Sequence, residues 1–481
     1  MVGVIALMAH FIDLHAAVTA LSHLTPTAIV LATLFYLLDR FSMSFKWNLL
    51  LRYRGYWLSH WDALRLHADV LDGLRAAGDV ASVGIDTWGV DFGLLDRAGR
   101  LLGNPVHYRD RRTDGQVERA RSLVPPGEIY ARTGIQFLAI NTLYQLMALA
   151  EAGDPQLHIA DRLLLMPALF AYWLCGASAC ERTIATTTQC YDVRAGAWAR
   201  DLLDRLGVPT RPLGEVVEPG TDLGPLRSRP RATRVIAPGT HDTASAVAAV
   251  PFAPGRPAAF VSAGTWSLVG MELDRPVVTD AAREANLSNE GGVAGTVRLL
   301  KNVMGLWLVQ ECRRAWARQG REWTYDELLT MAEAAPTDGP LIDPDDERLV
   351  RPADMPAQIA ACCVERGQPA PASPGEVVHC ALASVAHKHR VALDHLEAVT
   401  GTAVDVVHVV GGGARNALLC QLTADACGRP VIAGPVEATA IGNLLVQATT
   451  LGLLGSLAEG RELVRRSFEP RTYEPRQERR P

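Results

Sequence analysis

At 481 residues the chain exceeds one ordinary hydrophobic core, which points to two domains or more. Its 48% hydrophobic and 21% charged content is that of a globular protein, and a net charge of −5 speaks against the basic stripe of nucleic-acid binders. Nine cysteines follow no metal-ligand spacing; they read as buried free thiols in a reducing cytoplasm.

Residues 1–58 are unlike the rest. Their strongest apolar run, "TAIVLATLFYLL" (Thr27 to Leu38), is shorter than a bilayer span, and Asp13, His15 and His23 interrupt what precedes it. No basic start or small-residue cleavage site marks an export signal, so neither membrane nor export is predicted. Next, "DALRLHADVLDGLRAAG" sets Leu64, Leu71 and Leu74 on one helical face. "VASVGID" and "WGVDFGLLD" predict two strands, and "RAGR" turns the chain into "LLGNPVHYRD". "LYQLMALAEAG" and "LLLMPALFAYWLCG" predict helices, the second apolar nearly all round and therefore buried.

A second block opens with a strand at "RVIAPG", a helix at "THDTASAVAAV", and strands at "AAFVSAG" and "TWSLVGMEL". "KNVMGLWLVQECRRAW" has helical spacing, and a long helix is predicted over "EVVHCALASVAHKHRVALDHLEAVTG". "VDVVHVVGGGARNALLCQLTADACG" reads as strand, glycine loop and helix, and "RPVIAGPVEATAIGNLLVQATTLG" repeats the theme. Strands alternating with helices in both halves imply two α/β domains, joined near "APGTHDTASAV", with a ligand cleft between them. The closing stretch mixes Arg with Pro and Glu and predicts a polar tail over residues 466–481.

Three places could carry chemistry. Asp242 stands at the mouth of a small, apolar helix; it could cap that helix or accept a proton from a substrate hydroxyl. In "VSAGTWSL" small residues and hydroxyls could cradle an anion, or form an ordinary hairpin turn. Gly411 to Gly413 sit between a strand and a helix, where bare backbone can meet a nucleotide; Asn416 replaces the third glycine of a dinucleotide fingerprint. No GxxxxGK[ST] and no GxSxG occurs, which removes the commonest ATPase and hydrolase templates. An acid, a Thr/Ser turn and a late glycine loop together suit phosphoryl transfer.

The stretches "GIDTWGVDFGLLDRAGRLLGNPVHYRDRRTDG", "TGIQFLAINTLYQL", "THDTASAVAAVP", "AGTWSLVG", "LSNEGGV", "LKNVMGLWLVQECRRAW" and "VVGGGARNALLCQLTADACGRPV" resemble the FGGY carbohydrate kinases, on their rhamnulose branch. The likeness covers roughly residues 60 to 470. It implies two actin-like ATPase (ribonuclease H-like) domains around an interdomain cleft, with residues 59–245 sugar-binding and residues 246–465 nucleotide-binding. It implies ATP and Mg²⁺ as cofactors, a small-molecule sugar as substrate, and no nucleic-acid, membrane or obligate protein partner. By the same resemblance Asp242 is the general base for the sugar C1 hydroxyl. Gly89, His241, Thr243 and Asn302 match sugar contacts. Thr265, Gln310 and Gly412 match nucleotide contacts, with Gln310 two turns beyond Asn302 on one helix.

One departure stands out. Kinases of this fold open with an Asp-x-Gly hairpin for the nucleotide phosphates, whereas residues 1–58 hold only Gly3 and Gly55 and no Asp-x-Gly. The segment is replaced rather than deleted, and a shifted reading frame at the 5′ end explains that best. The chain as written is therefore expected to turn over little and still to bind sugar. A kinase for another ketose or polyol, and a non-catalytic sugar-binding relative, are the alternatives.

Overall fold

The computed structural model describes residues 62–228 and 233–476. The expectations placed on residues 1–58 lie outside these. Helix α1 (Asp62–Ala76) belongs to a first unit, Met1–Gly78, and everything below belongs to a second, Asp79–Pro481.

Strand β1 (Ser82–Gly84) begins the second unit, and β2 (Phe92–Leu95) follows after a tight turn. Helix α2 (Thr142–Glu151) leads through a short connection to β3 (Arg162–Leu165), which pairs antiparallel with β2. Helix α3 (Met166–Cys175) starts directly at the end of β3. The stretch "LLLMPALFAYWLCG" is thus strand and helix, not the single helix its apolarity suggests. Pro167 explains the break: it fits the first turn of a helix, where its missing N–H costs nothing, and not the interior. Strands β4 (Asp222–Pro225) and β5 (Arg234–Ile236) complete a three-stranded sheet in which β5 is central and parallel to β1.

Helix α4 (Asp242–Ala248) leads into the second half and runs unbroken across the junction expected at 245/246. That half is built on a seven-stranded sheet. Its strands are β6 (Ala258–Ala263), β7 (Trp266–Leu273), β8 (Ser288–Gly291), β9 (Val297–Met304), β10 (Val406–Val410), β11 (Val431–Ala433) and β12 (Arg471–Tyr473). Their spatial order is β8-β9-β7-β6-β10-β11-β12. The run β9-β7-β6 is antiparallel and β6-β10-β11 parallel, the strand arrangement of ribonuclease H-like domains. Pleating divides the core: Phe260, Leu268 and Leu300 face α4, while Ala259, Val261, Leu299 and Val303 face the opposite layer.

That opposite layer contains the long helix α6 (Pro374–Thr400) and α7 (Ala417–Cys427), which follow α5 (Trp307–Arg318) in the chain. Helix α8 (Ala438–Thr450) crosses α4 at Gly442, where a Cβ would stand 1.7 Å from Ser245 O. Only glycine permits backbone approach of that kind. Asn443 then donates to Gly84 O at 3.2 Å and Gln447 accepts from Ser82 Oγ at 2.7 Å, so α8 also grips β1 of the first half.

Two further expectations change. "KNVMGLWLVQECRRAW" is not one helix: Lys301–Met304 finish β9, Gly305 turns the chain, and α5 begins at Trp307. A Cβ on Gly305 would lie 2.7 Å from the Trp266 backbone, so the turn closes against the β6–β7 hairpin. The stretch from 466 to 476 is not a free tail either. Helix α9 (Leu457–Ser467) continues into β12, which pairs with β11 and buries Tyr473, because one aromatic at the right register suffices to add an edge strand. All nine cysteines are free, and only Cys175 is not buried.

Candidate functional site

Asp242 is the first residue of α4, and its backbone N–H donates to Thr87 O at 2.9 Å. Thr87 N–H in turn donates to Thr240 O at 2.9 Å, so the segment after β1 and the start of α4 are stitched together within the first half. The N-cap is His241, and no side chain caps the helix. Among the described residues the Asp242 carboxylate accepts only from Thr243 Oγ1, at 3.2 Å, and it is 43% exposed between neighbours that are buried. An acid at a helix start without capping duty is free for other work.

His241 is wedged between charges. Its Nε2 lies 3.5 Å from Asp242 Oδ1, and its Nδ1 lies 3.2 Å from both Glu290 Oε2 and Arg298 Nη2. Asn302 stands on β9, four residues beyond Arg298 and on the same sheet face. Gln136 of the first half grips it: Gln136 Oε1 accepts from the Asn302 backbone N–H at 2.9 Å and from its side-chain amide at 3.3 Å. Asn302 is therefore on a strand and Gln310 on α5, rather than on one helix. Burial alone would raise the Glu290 carboxyl, but the Arg298 guanidinium beside it, chiefly, holds it below the usual range.

Gly89 lies two residues from Thr87, and a Cβ there would press on Thr187 Oγ1 at 3.0 Å. The next residue, Val90, has φ 68°, and Asp91 N–H donates to Gly89 O at 2.9 Å. This is the strained hand of the γ-turn, unusual for a β-branched residue. Thr142 Oγ1 holds it from α2, donating to Val90 O at 2.7 Å. Such strain is characteristic of binding sites. Nearby, Asp86 and Asp91 are pushed up to about 6, in both cases chiefly by burial. For Asp86 the hydrogen bond from Asn443 opposes the shift and the Asp242 charge adds to it.

The remaining expected residues gather at the ends of β6 and β10. Gly264 and Thr265 form the turn between β6 and β7, and Thr265 Oγ1 lies 3.4 Å from Gln310 Oε1. Leu306 N–H donates to Gly264 O at 2.9 Å, which ties α5 to the same turn. Across β6, Gly413 is pressed on Ala263: a Cβ would stand 2.4 Å from the alanine methyl. Gly412 has nothing within 4 Å, so open space lies beside that backbone. A loop with one packed and one open glycine fits a flat ring or a phosphate approaching closely. Trp266 Nε1 donates to Tyr108 OH at 3.1 Å, joining the second half to the first beside this turn.

Sequence reading missed Glu290, Arg298, Gln136 and Asp86. The signal was present in Glu290 and Arg298 themselves, charged residues inside strand patterns, where an unpaired charge is not tolerated. Among the described residues no group of three or more His, Cys, Asp or Glu could hold a metal, and no helix is long and apolar enough to cross a membrane.

Comparison with known proteins agrees with this architecture. The N-terminal domain of the FGGY family of carbohydrate kinases matches residues 68–248 and its C-terminal domain residues 259–451. The chain is 42% identical over 426 residues to a rhamnulokinase of Bacteroides thetaiotaomicron, covering 86% of this chain and 87% of that protein. It is 44% identical over 423 residues to a rhamnulokinase of Pectobacterium carotovorum, covering 87% and 84%. Among solved structures, a ligand-bound xylulose kinase from Lactobacillus acidophilus superposes with a TM-score of 0.67 at 16% identity, over 85% of this chain and 83% of that one. A Plasmodium falciparum glycerol kinase with ADP gives 0.65 at 15% identity, over 85% and 84%; both show the fold alone. On sequence and fold together, the chain belongs to the FGGY family of carbohydrate kinases, in its rhamnulokinase branch.

Proposed function

We propose that this chain transfers the γ-phosphoryl group of ATP to O1 of L-rhamnulose, giving L-rhamnulose 1-phosphate and ADP in L-rhamnose catabolism. The observation that carries the reading is Asp242, an accessible carboxylate at a helix start that caps nothing, flanked by His241 and Thr243. Asp242 accepts the O1 proton as the oxygen attacks; a base so placed contributes about 10²–10⁴-fold to rate. His241, Thr243, Asn302 and the backbone at Gly89 hold the sugar. Thr265, Gln310 and Gly412 hold the nucleotide. Mg²⁺, which commonly arrives bound to phosphates and keeps few protein ligands, would enter with the nucleotide. Bound there, it would neutralise charge on the transferring group. The sugar-binding half ends with α4, and the free thiols support a cytoplasmic setting.

The test is a ranking. ADP release is measured with L-rhamnulose, D-xylulose, L-ribulose and glycerol, and kcat/KM is expected to be highest with L-rhamnulose. Where turnover is slow, sugar affinities from calorimetry should fall in the same order. Preference for another sugar in either measurement overturns the substrate.

A further inference from the structure

Glu290 and Arg298 face each other across the β8–β9 ladder, with side-chain exposures of 4% and 0%. Arg298 Nη2 lies 3.1 Å from Glu290 Oε2, and Arg298 Nε donates to Gly291 O at 2.9 Å. Nη2 and Glu290 Oε2 both lie 3.2 Å from His241 Nδ1, on the ring edge opposite Asp242, and of the two only Nη2 is aligned to hydrogen-bond it. Arg298 Nη1 and Glu290 Oε2 have no aligned hydrogen-bond partner among the described residues. An ion pair this deep is a weak stabiliser, because desolvating two charges offsets their attraction, and apolar residues of similar volume do as well or better. Its contact with His241 gives it another task.

We propose that the Arg298–Glu290 pair is a positioning device for His241. Arg298 Nη2 donates to Nδ1, which fixes the ring tautomer with its proton on Nε2. That N–H then faces the cleft beside Asp242. Glu290 keeps the guanidinium in place through the cross-strand pair. A ring with its Nδ1 lone pair engaged and Nε2 already protonated cannot take a substrate proton. His241 is thereby a donor to sugar oxygens, and Asp242 is left as the acceptor. What Nε2–H meets rests on the sugar-kinase reading above; the tautomer does not.

The experiment is NMR of the full-length chain labelled with ¹⁵N-histidine, the His241 signals being assigned by their loss in His241→Asn. Nδ1 is expected at the unprotonated position and Nε2 at the protonated one. In the double variant Glu290→Leu with Arg298→Met, apolar side chains fill the space and the melting temperature is expected to hold or rise. There the tautomers should mix, and affinity for L-rhamnulose should fall about 10-fold or more, as for one lost charged hydrogen bond. Arg298→Lys, which keeps the charge without the planar fork, is expected to mix them too, and is read if the double variant does not fold. A protonated Nδ1 in the unaltered chain overturns the proposal. So does either variant if it keeps both the original tautomer and the original sugar affinity. Failure of the kinase reading would show in the sugar ranking instead, with the tautomer unchanged.

Discussion

Asp242 and Asp86 are two acids in one cleft whose surroundings give them different behaviour. Asp242 is accessible and caps nothing, so Asp242→Asn should leave the fold intact and sugar affinity largely unchanged while kcat falls by about 10² or more. A variant with nearly unaltered kcat and a lowered melting temperature would return the acid to a structural part. Asp86 is pushed up to about 6 by burial, with the Asp242 charge adding to it against the Asn443 hydrogen bond. Between the ordinary carboxylate range and about pH 6 the folded chain therefore binds a proton that the unfolded chain has released. Stability from this group is complete below that window and is lost as pH rises through it. Asp86→Asn removes the titration and keeps an acceptor for Asn443. Its effect relative to the unaltered chain should be more favourable at about pH 7.5 than at about pH 4, by up to about 3 kcal/mol at about 1.4 kcal/mol per unit. Thermal melts showing the same difference at both pH values would contradict the assignment.

At the scale of elements, close backbone approach organises the site. Gly442→Ala puts a methyl against Ser245 O at the α4–α8 crossing, and neither helix backbone can yield without moving the other. Overpacking of this kind costs about 1–3 kcal/mol, to be read from urea unfolding, and kcat should fall with it because Asp242 starts α4. Unfolding midpoints that coincide would mean the crossing is looser than it looks. Gly412→Ala is the counterpart: with open space around it, stability should stay within about 0.5 kcal/mol while KM for ATP rises several-fold. An unchanged KM would remove Gly412 from the nucleotide site. The strand and helix alternation behind both sites was legible because the periods of two and of 3.6 are distinct in this chain. It failed where apolar runs hide a boundary, at Leu165–Met166 and at Met304–Trp307, since tertiary pairing and a proline or glycine decide there. Asp242, His241 and Asn302 could be named from motifs, whereas Glu290 and Gln136 act through partners more than 45 residues away, at His241 and Asn302, and only the fold brings them in.

At the scale of the whole molecule, phosphoryl transfer between two domains needs donors from both sides of the cleft, because developing charge on the γ-phosphate must be met in place. The second half supplies the Gly264–Thr265 turn. Residues 1–58 contain no Asp-x-Gly to answer it from the first half. Turnover by the chain as written is accordingly expected to be far below that of the same chain with an Asp-x-Gly hairpin placed ahead of His60, while the sugar preference of the two is the same. Equal turnover would show that the hairpin is dispensable. The central claim, that Asp242 activates O1 of L-rhamnulose, is met most directly by one measurement: transfer of label from [γ-³²P]ATP, sensitive enough for slow turnover, to L-rhamnulose by the unaltered chain and by Asp242→Asn. Labelled L-rhamnulose 1-phosphate is predicted from the first, formed faster than any product from D-xylulose, L-ribulose or glycerol, with a loss of about 10² or more in the second. Equal transfer by both chains, or faster labelling of another sugar, would contradict it.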